Sequence, residues 1–286
     1  MAFLANLFGY LLNFIYNIVN NYGVAIIIFS IIVRLILLPI SIKQQRTMKK
    51  TAKIQEKMKA LQFKYKNNPE QLNKETIELY KSEKMSPFSG CLSGIIQIVL
   101  LLGVFLMVQS PLTYMRKIDT QVIEQYKNEI VEANTENNNR NVYPEIQIIR
   151  EKGGEDERVS LNMNFLGLDL SSVPISNLSD PRVYIIPVLY VISSFVSIRI
   201  SNNMTQNAKK KKEELDGEEK NEKPSELDAI NQANKNMLYI MPIMSVSISL
   251  IAPLGLALYW LVSNVLMIVE RVLLNKYMKE GEEENA

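Results

Sequence analysis

The 286-residue chain contains no histidine. That excludes Ser-His-Asp and Cys-His nucleophiles, HExxH metal sites and the usual proton shuttle of neutral pH. It has one cysteine, Cys91, so no disulfide framework can form within it. Charge is missing in blocks: residues 1–33 and 85–110 carry none. Overall charge is nearly balanced, with 32 Lys and Arg against 30 Asp and Glu. No specific nucleic-acid partner is expected from it. What is present is apolar: 47% of the residues are hydrophobic, and the charges are crowded into a few polar stretches. A soluble domain with one core does not show this pattern; an integral membrane protein does. No cleavable signal peptide is expected, because a positive n-region and a small-residue cleavage site are missing.

Residues 1–21 read as an amphipathic helix. Phe3, Leu7, Leu11, Ile15 and Ile18 alternate at helical spacing with a narrow stripe of Asn6, Tyr10, Asn13 and Asn17. A helix lying in the membrane interface is expected there, with an extra span as the alternative. Five spans follow, at roughly 23–42, 86–111, 183–201, 236–252 and 254–272. The last two are short for ~30 Å of hydrocarbon. They are joined across Pro253 and Gly255, which suit a tight turn. Block 43–84 holds twelve Lys and Arg against five Asp and Glu, and 112–182 holds eight against twelve. The positive-inside rule then places 43–84 in the cytoplasm, the N-terminus outside and the C-terminus inside. Loop 202–235 is cytoplasmic too. Its high charge and low apolar content read as largely disordered. The acidic tail 273–286 reads as solvated.

Block 43–84 predicts a basic helical hairpin. Ile54, Met58, Leu61 and Tyr65 form one stripe, and Asn68, Pro69 and Gln71 occupy N-cap, N1 and N3 of a second helix. It serves either as a solvated hairpin touching anionic headgroups or as a docking surface for an incoming polypeptide. Lys53, Lys57, Met58 and Leu61 are its candidate contact residues. In the outer stretch 112–182, Ile118, Val122, Ile123, Tyr126 and Ile130 predict that the second span continues as an amphipathic helix. The segment 145–165 reads as a small β-hairpin around Gly153-Gly154, with Val159, Leu161, Met163 and Phe165 on one face.

One residue breaks the pattern of the first span. Arg34 sits near the middle of residues 24–42, the other eighteen of which are uncharged. A central arginine costs ~2.5–3.5 kcal/mol on the lenient insertion scale. Lys43, at the cytoplasmic edge, is nine residues on, or about 13 Å of depth at ~1.5 Å per residue, too far for snorkelling. Glu270 is the one carboxylate in the five spans and lies near the inner end of the last, so a permanent ion pair is not expected. Polar uncharged residues are plentiful: Ser30 beside Arg34, Ser93 and Gln97 in the second span, Ser193, Ser194 and Ser197 in the third, Ser245 and Ser249 in the fourth, Ser263 and Asn264 in the fifth. Singly, each serine reads as helix packing. Around an arginine they point to a hydrated groove, which would attract acidic segments in a low dielectric.

The segments YGVAIIIFSIIVRLILLPISIKQQRTMKK, NPEQLNKETIELYK, SPFSGCLSGIIQIVL, NFLGLDLS and MPIMSVSISLIAPLGLALYWLVSN, in that order, resemble the YidC family of membrane-protein insertases. The likeness runs from about Tyr22 to Tyr277. It implies an all-α polytopic fold in which five transmembrane helices surround a hydrophilic groove, closed outside and open to the cytoplasm and lipid. Arg34 matches the family's groove arginine and Gln97 its polar position in the second span; Trp260, in the closing PLGLALYW motif, joins the groove set. The implied function is insertion and assisted folding of nascent membrane proteins, alone or beside the Sec translocon, with the ribosome as a further partner and with no cofactor or metal. The sequence departs from the pattern where GCLSGIIQIVLLLG lacks the family's usual prolines. It also lacks the lipoprotein cysteine of Gram-positive members and the large outer domain of Gram-negative ones. Two rivals remain. A small-anion transporter or channel using Arg34 would be expected to show inverted repeats, and none is visible. An intramembrane enzyme would need a general base, and the spans offer no histidine or paired carboxylates.

Overall fold

A computed structural model describes residues 1–65, 68–83, 89–133, 143–213 and 247–283. Helix α1 (Ala2–Val19) ends where Asn20 enters the left-handed region at φ 49°, and its N–H bonds back to Tyr16 O. Asn21 then opens α2 (Tyr22–Lys64), its side chain accepting from Val24 N–H at 3.1 Å. Two consecutive asparagines suit this junction: asparagine tolerates the left-handed C-cap and its carbonyl is a good N-cap acceptor.

Helix α2 is continuous for 43 residues through Pro39. The expected boundary at residue 42 is therefore one of solvent, not of backbone. Helix α3 (Pro69–Ser82) starts as its sequence predicts, with Asn68 Oδ1 accepting from Gln71 N–H and Pro69 at N1. It folds back on α2: Thr76 Oγ1 donates to Met58 Sδ at 3.3 Å, Tyr65 to Glu75 at 3.2 Å, and Lys57 pairs with Glu83 at 2.5 Å.

Helix α4 (Ser89–Gln109) holds the second apolar stretch. It does not run on as the amphipathic helix expected from the sequence. Pro111 removes an N–H donor and starts the single turn α5 (Pro111–Tyr114), and Lys117 adopts φ 55°. The amphipathic pattern then appears as a separate α6 (Thr120–Ala133), with Ile123 and Ile130 buried. The hairpin expected at 145–165 is a second correction. Residues 144–152 form α7 (Pro144–Lys152), because Pro144 pre-sets the first turn and Ile146, Ile148 and Ile149 pack on one side. The alternation at Val159, Leu161 and Met163 is real and all three are buried, but the chain there packs on helices. The ladder lies later: β1 (Asn164–Phe165) pairs antiparallel with β2 (Leu168–Asp169). Leu166 and Gly167 both have positive φ, 52° and 80°, the signature of a two-residue type I′ turn.

Helix α8 (Ile185–Glu213) extends the third apolar stretch into the charged loop, so residues 202–213 are helical where disorder was expected. Helix α9 (Leu254–Glu283) begins just after Pro253 and carries most of the acidic tail in helix. Of the expected fourth span, only 247–252 fall within the described residues; Ser245 lies outside them.

Among the described residues, four helical stretches are long and apolar enough to cross a membrane: Ala2–Val19, Tyr22–Thr47, Pro181–Ile200 and Leu254–Tyr277; α4 contributes a shorter apolar run, Ile98–Gln109. Their outward faces are also apolar: Phe3, Leu7 and Phe14 on α1, Leu35 and Ile36 on α2, Ile192 and Phe195 on α8, Val269 and Leu273 on α9 are exposed. Apolar surface on this scale fits lipid contact, not water. Helix α9 packs chiefly between α8 and α2, while α1 lies across α4 and α2. Phe8 meets Phe29 edge-on at 5.7 Å.

A layer formed by residues 110–133 and 143–183 ties the helix ends together. Asn162 N–H donates to Tyr16 Oη at 2.8 Å, Asn162 Nδ2 to Asn20 O, Asn21 Nδ2 to Asn164 O, and Tyr22 N–H to Asn162 O. At α9 the N–H groups of Leu254 and Gly255 donate to Ser172 O and Leu170 O, both at 2.9 Å. One irregular segment thus satisfies helix-end groups that would otherwise be orphaned. Glu145 anchors α7 in the same layer, accepting from Thr113 N–H at 3.0 Å and Thr113 Oγ1 at 2.6 Å. Burial pushes its carboxyl above the usual range, and the Thr113 bonds pull the other way. With the folded value raised, the native state holds the proton longer than the unfolded chain does. The contribution of this group to stability is full below ~pH 4.3, the ordinary Glu value, and is lost as pH rises through the raised value. Glu145→Gln is expected to remove that slope and raise the protection of α5–α7 amides at pH 7, read by hydrogen exchange between pH 4 and 8.

Candidate functional site

Arg34 sits on α2, three turns from its start, and Glu270 on α9. The structure brings them together: Arg34 Nε forms an ion pair with Glu270 Oε2. From the sequence no permanent ion pair is expected here, and the structure shows the two charges in contact. Glu270 is closer in depth to Arg34 than its place late in the fifth apolar stretch suggests. It is six residues from Lys276, and Arg34 is nine from Lys43, so at ~1.5 Å per residue their depths differ by only about 5 Å. Matching depths from the basic edges would have found the pair. The Glu270 side chain is 9% exposed and that of Arg34 22%, and the two pairing atoms are themselves buried. Arg271, half-buried and next in sequence, lies within electrostatic reach of both. Among the described residues, two cations and one anion thus lie near one another.

A second polar knot lies between α8 and α9. Asn264 Nδ2 donates to Ser193 Oγ at 2.9 Å and to Ser194 Oγ at 3.2 Å, and Ser193 Oγ donates to Tyr190 O. All three side chains are buried, as are Ser197 and Ser249. Here the serines act as interhelical glue. Ser30, also buried, donates to Ile26 O of its own helix at 2.7 Å. Trp260 packs on Tyr190 across the same α8–α9 seam, ring centroids 6.2 Å apart. Ser263 is half-buried one residue before Asn264.

The sequence-derived residues thus fall at two places on α9, the ion pair at Glu270 and the knot at Asn264, about 9 Å apart along the axis at ~1.5 Å per residue. The side chains of Ser93 and Gln97 on α4, and of Lys53 on α2, lie outside the described residues. In the hairpin, Met58 and Leu61 are half-buried, Met58 and Lys57 being engaged by α3. Among the described residues, no three Cys, Asp or Glu side chains converge as a metal site.

Comparison with known proteins gives the family of this chain. The model of the family described as "60Kd inner membrane protein" matches residues 14–282. A "Membrane protein insertase YidC" of Caldanaerobacter subterraneus is 43% identical over 110 residues, 38% of this chain and 53% of that protein. One of Fusobacterium nucleatum is 26% identical over 285 residues, covering 98% of this chain and 100% of its own length. One of Treponema denticola is 25% identical over 280 residues, and there the chain spans only 38% of the relative. With the last two relatives the shared part is 98% of this chain, and it makes up all of one relative and 38% of the other. From the arginine-bearing helix to the closing α9, the chain belongs to the 60Kd inner membrane protein family, the family of the insertases named YidC.

Proposed function

We propose that this protein is a membrane-protein insertase of the bacterial plasma membrane. It takes hydrophilic segments of nascent clients into a hydrated cationic groove among its helices and releases their apolar segments into lipid, alone or with the Sec translocon. The observation that carries the reading is Arg34, a charge on the first apolar helix whose side chain is mostly enclosed and pairs with Glu270. Family membership makes insertion the chemistry to expect of it. The outer layer supports a groove shut on that side, because residues 159–172 bond to the starts of both α2 and α9. In this reading the outer layer and N-terminus face outward, and the C-terminus is cytoplasmic with the basic α2–α3 hairpin. The hairpin receives clients near anionic lipid and the ribosome. Exposed Phe63 and Ile77 give it an apolar surface beside its lysines.

Purified protein in liposomes is expected to insert single-span clients bearing short outer tails, scored by protease protection of the tail. Protein-free liposomes define the background. Equal protection with and without the protein would sink the reading. Anion flux without insertion would put an anion channel in its place.

A further inference from the structure

The layer over the helix ends is not uniform in charge. Eight of the sixteen residues 143–158 are charged, against one, Asp169, of the twenty-one residues 159–179. Even that carboxylate is engaged locally: it accepts from Ser171 N–H at 2.9 Å, Ser171 Oγ at 2.6 Å and Ser172 Oγ at 3.3 Å. The exposed side chains divide the same way. In the nearly uncharged part Leu166 is 87% exposed, Leu178 70% and Ile175 57%. Among the described residues of 116–158, the one large apolar side chain that is exposed is Val131, on α6 between Glu129 and Glu132.

Two turns carry these residues, and each continues an apolar face of the helices. The β1–β2 hairpin stands at the α1–α2 junction. Phe165 covers Gly23, where an added Cβ would stand 2.4 Å from its ring, and Asn21 Nδ2 donates to Asn164 O at 2.7 Å. Leu166 lies in the turn of this hairpin, and the exposed apolar face of α1 reaches the same junction through Phe14 and Ile18. The 3₁₀ turn Pro174–Ser176 and Leu178 come just before α8, whose exposed face starts at Ile185, Val188 and Leu189. Both turns satisfy polar groups locally. Gly167 N–H donates to Asn164 Oδ1 at 3.2 Å, and Ser176 N–H and Asn177 Nδ2 donate to Val173 O at 3.0 and 3.2 Å. A turn that closes its own hydrogen bonds and exposes leucine and isoleucine loses little on leaving water. Between Leu178 and α8, Asp180 accepts from Arg182 Nε at 2.9 Å, a charge pair suited to the headgroup layer.

We propose that Leu166 and the Ile175–Leu178 turn are seated in lipid: they dip into the headgroup–acyl boundary at this end of the helix bundle and hold the layer down on the bilayer, while the charged part 143–158 stays in water. The occupant is lipid because the two tips, at separate places, extend the exposed apolar faces of α1 and α8. A few large apolar side chains buried at that depth are enough to fix a segment on a membrane surface. This surface is separate from Arg34 and does not depend on the insertase reading.

The test uses the full chain carrying Cys91→Ser and one of Leu166→Cys, Leu178→Cys or Glu157→Cys. Each is labelled with a polarity-sensitive nitrobenzoxadiazole dye and placed in phosphatidylcholine–phosphatidylglycerol nanodiscs. All three positions are exposed, so the substitutions leave the packing alone. The readouts are the emission maximum and quenching by a lipid bearing a nitroxide on its headgroup. Leu166→Cys and Leu178→Cys are expected to give blue-shifted emission and quenching of about twofold, with Glu157→Cys emitting as in water and hardly quenched. Water-like, unquenched emission at Leu166→Cys or Leu178→Cys overturns the proposal. Blue-shifted emission that the nitroxide lipid leaves unchanged also overturns it, because a protein surface such as a second copy then covers the tips.

Discussion

Replacing Arg34 by alanine is expected to abolish insertion of clients with acidic outer tails, and also to destabilise the protein. The second effect follows from the ion pair. Removing one partner leaves Glu270 buried without the arginine it pairs with, and breaking a buried pair costs ~3–5 kcal/mol. Loss of insertion in Arg34→Ala alone would therefore be ambiguous. The double variant Arg34→Ala/Glu270→Gln resolves it, since no charge is then stranded. It is expected to recover most of the thermal stability of wild type in detergent or nanodiscs, yet still fail with acidic tails. Arg34→Lys should keep the charge but not the planar fork, and so retain part of the acidic-tail activity. The measurements are midpoint temperature and protease-protected client for each variant. Recovery of both stability and acidic-tail insertion in the double variant would mean that the charge is dispensable, leaving local bilayer thinning and groove hydration to carry insertion.

The second large effect is steric. Gly9 lies in the middle of α1 where it crosses α5, and a Cβ there would stand 1.9 Å from Tyr114 O and 2.5 Å from Tyr114 C. Both are backbone atoms of a turn fixed by Pro111 and held by Glu145, so they cannot swing aside as a side-chain tip would. Alanine is otherwise the better helix former by ~1 kcal/mol, which makes the sign of the test clean. Gly9→Ala is expected to cost ~1–3 kcal/mol through overpacking and to lift α1 from α4 and α5. Gly154→Ala, with nothing within 4 Å of the added carbon, is the matched control and should be silent. Thermal unfolding and cysteine accessibility along α1 check both. A Gly9→Ala protein as stable as wild type would show that α1 does not pack on α5 in the bilayer.

Local signals in the sequence were reliable where a short-range interaction decides the outcome. The Asn68-Pro69 start of α3, the stop and restart at Asn20 and Asn21, and the turn before Leu254 were all legible, because each depends on residues within four positions. The 145–165 segment was not. Ile146 and Ile148 fit a strand's period as well as a helix face, and only packing on α5 and α6 selects the helix at 144–152. Of the site, Arg34 was legible from the cost of its position. Ser193, Ser194 and Asn264 were legible only as polar residues in spans, not as a knot that closes α8 on α9.

By itself, then, the sequence determined the membrane character, the apolar helices, the basic hairpin and the anomalous arginine. These follow from hydropathy, charge and capping read along the chain. Only the tertiary structure decided what Arg34 faces. A counter-ion is chosen by which faces of α2 and α9 turn together and at what depth, and that depends on how the outer layer and α8 pack against α9, not on anything near Arg34 in the chain.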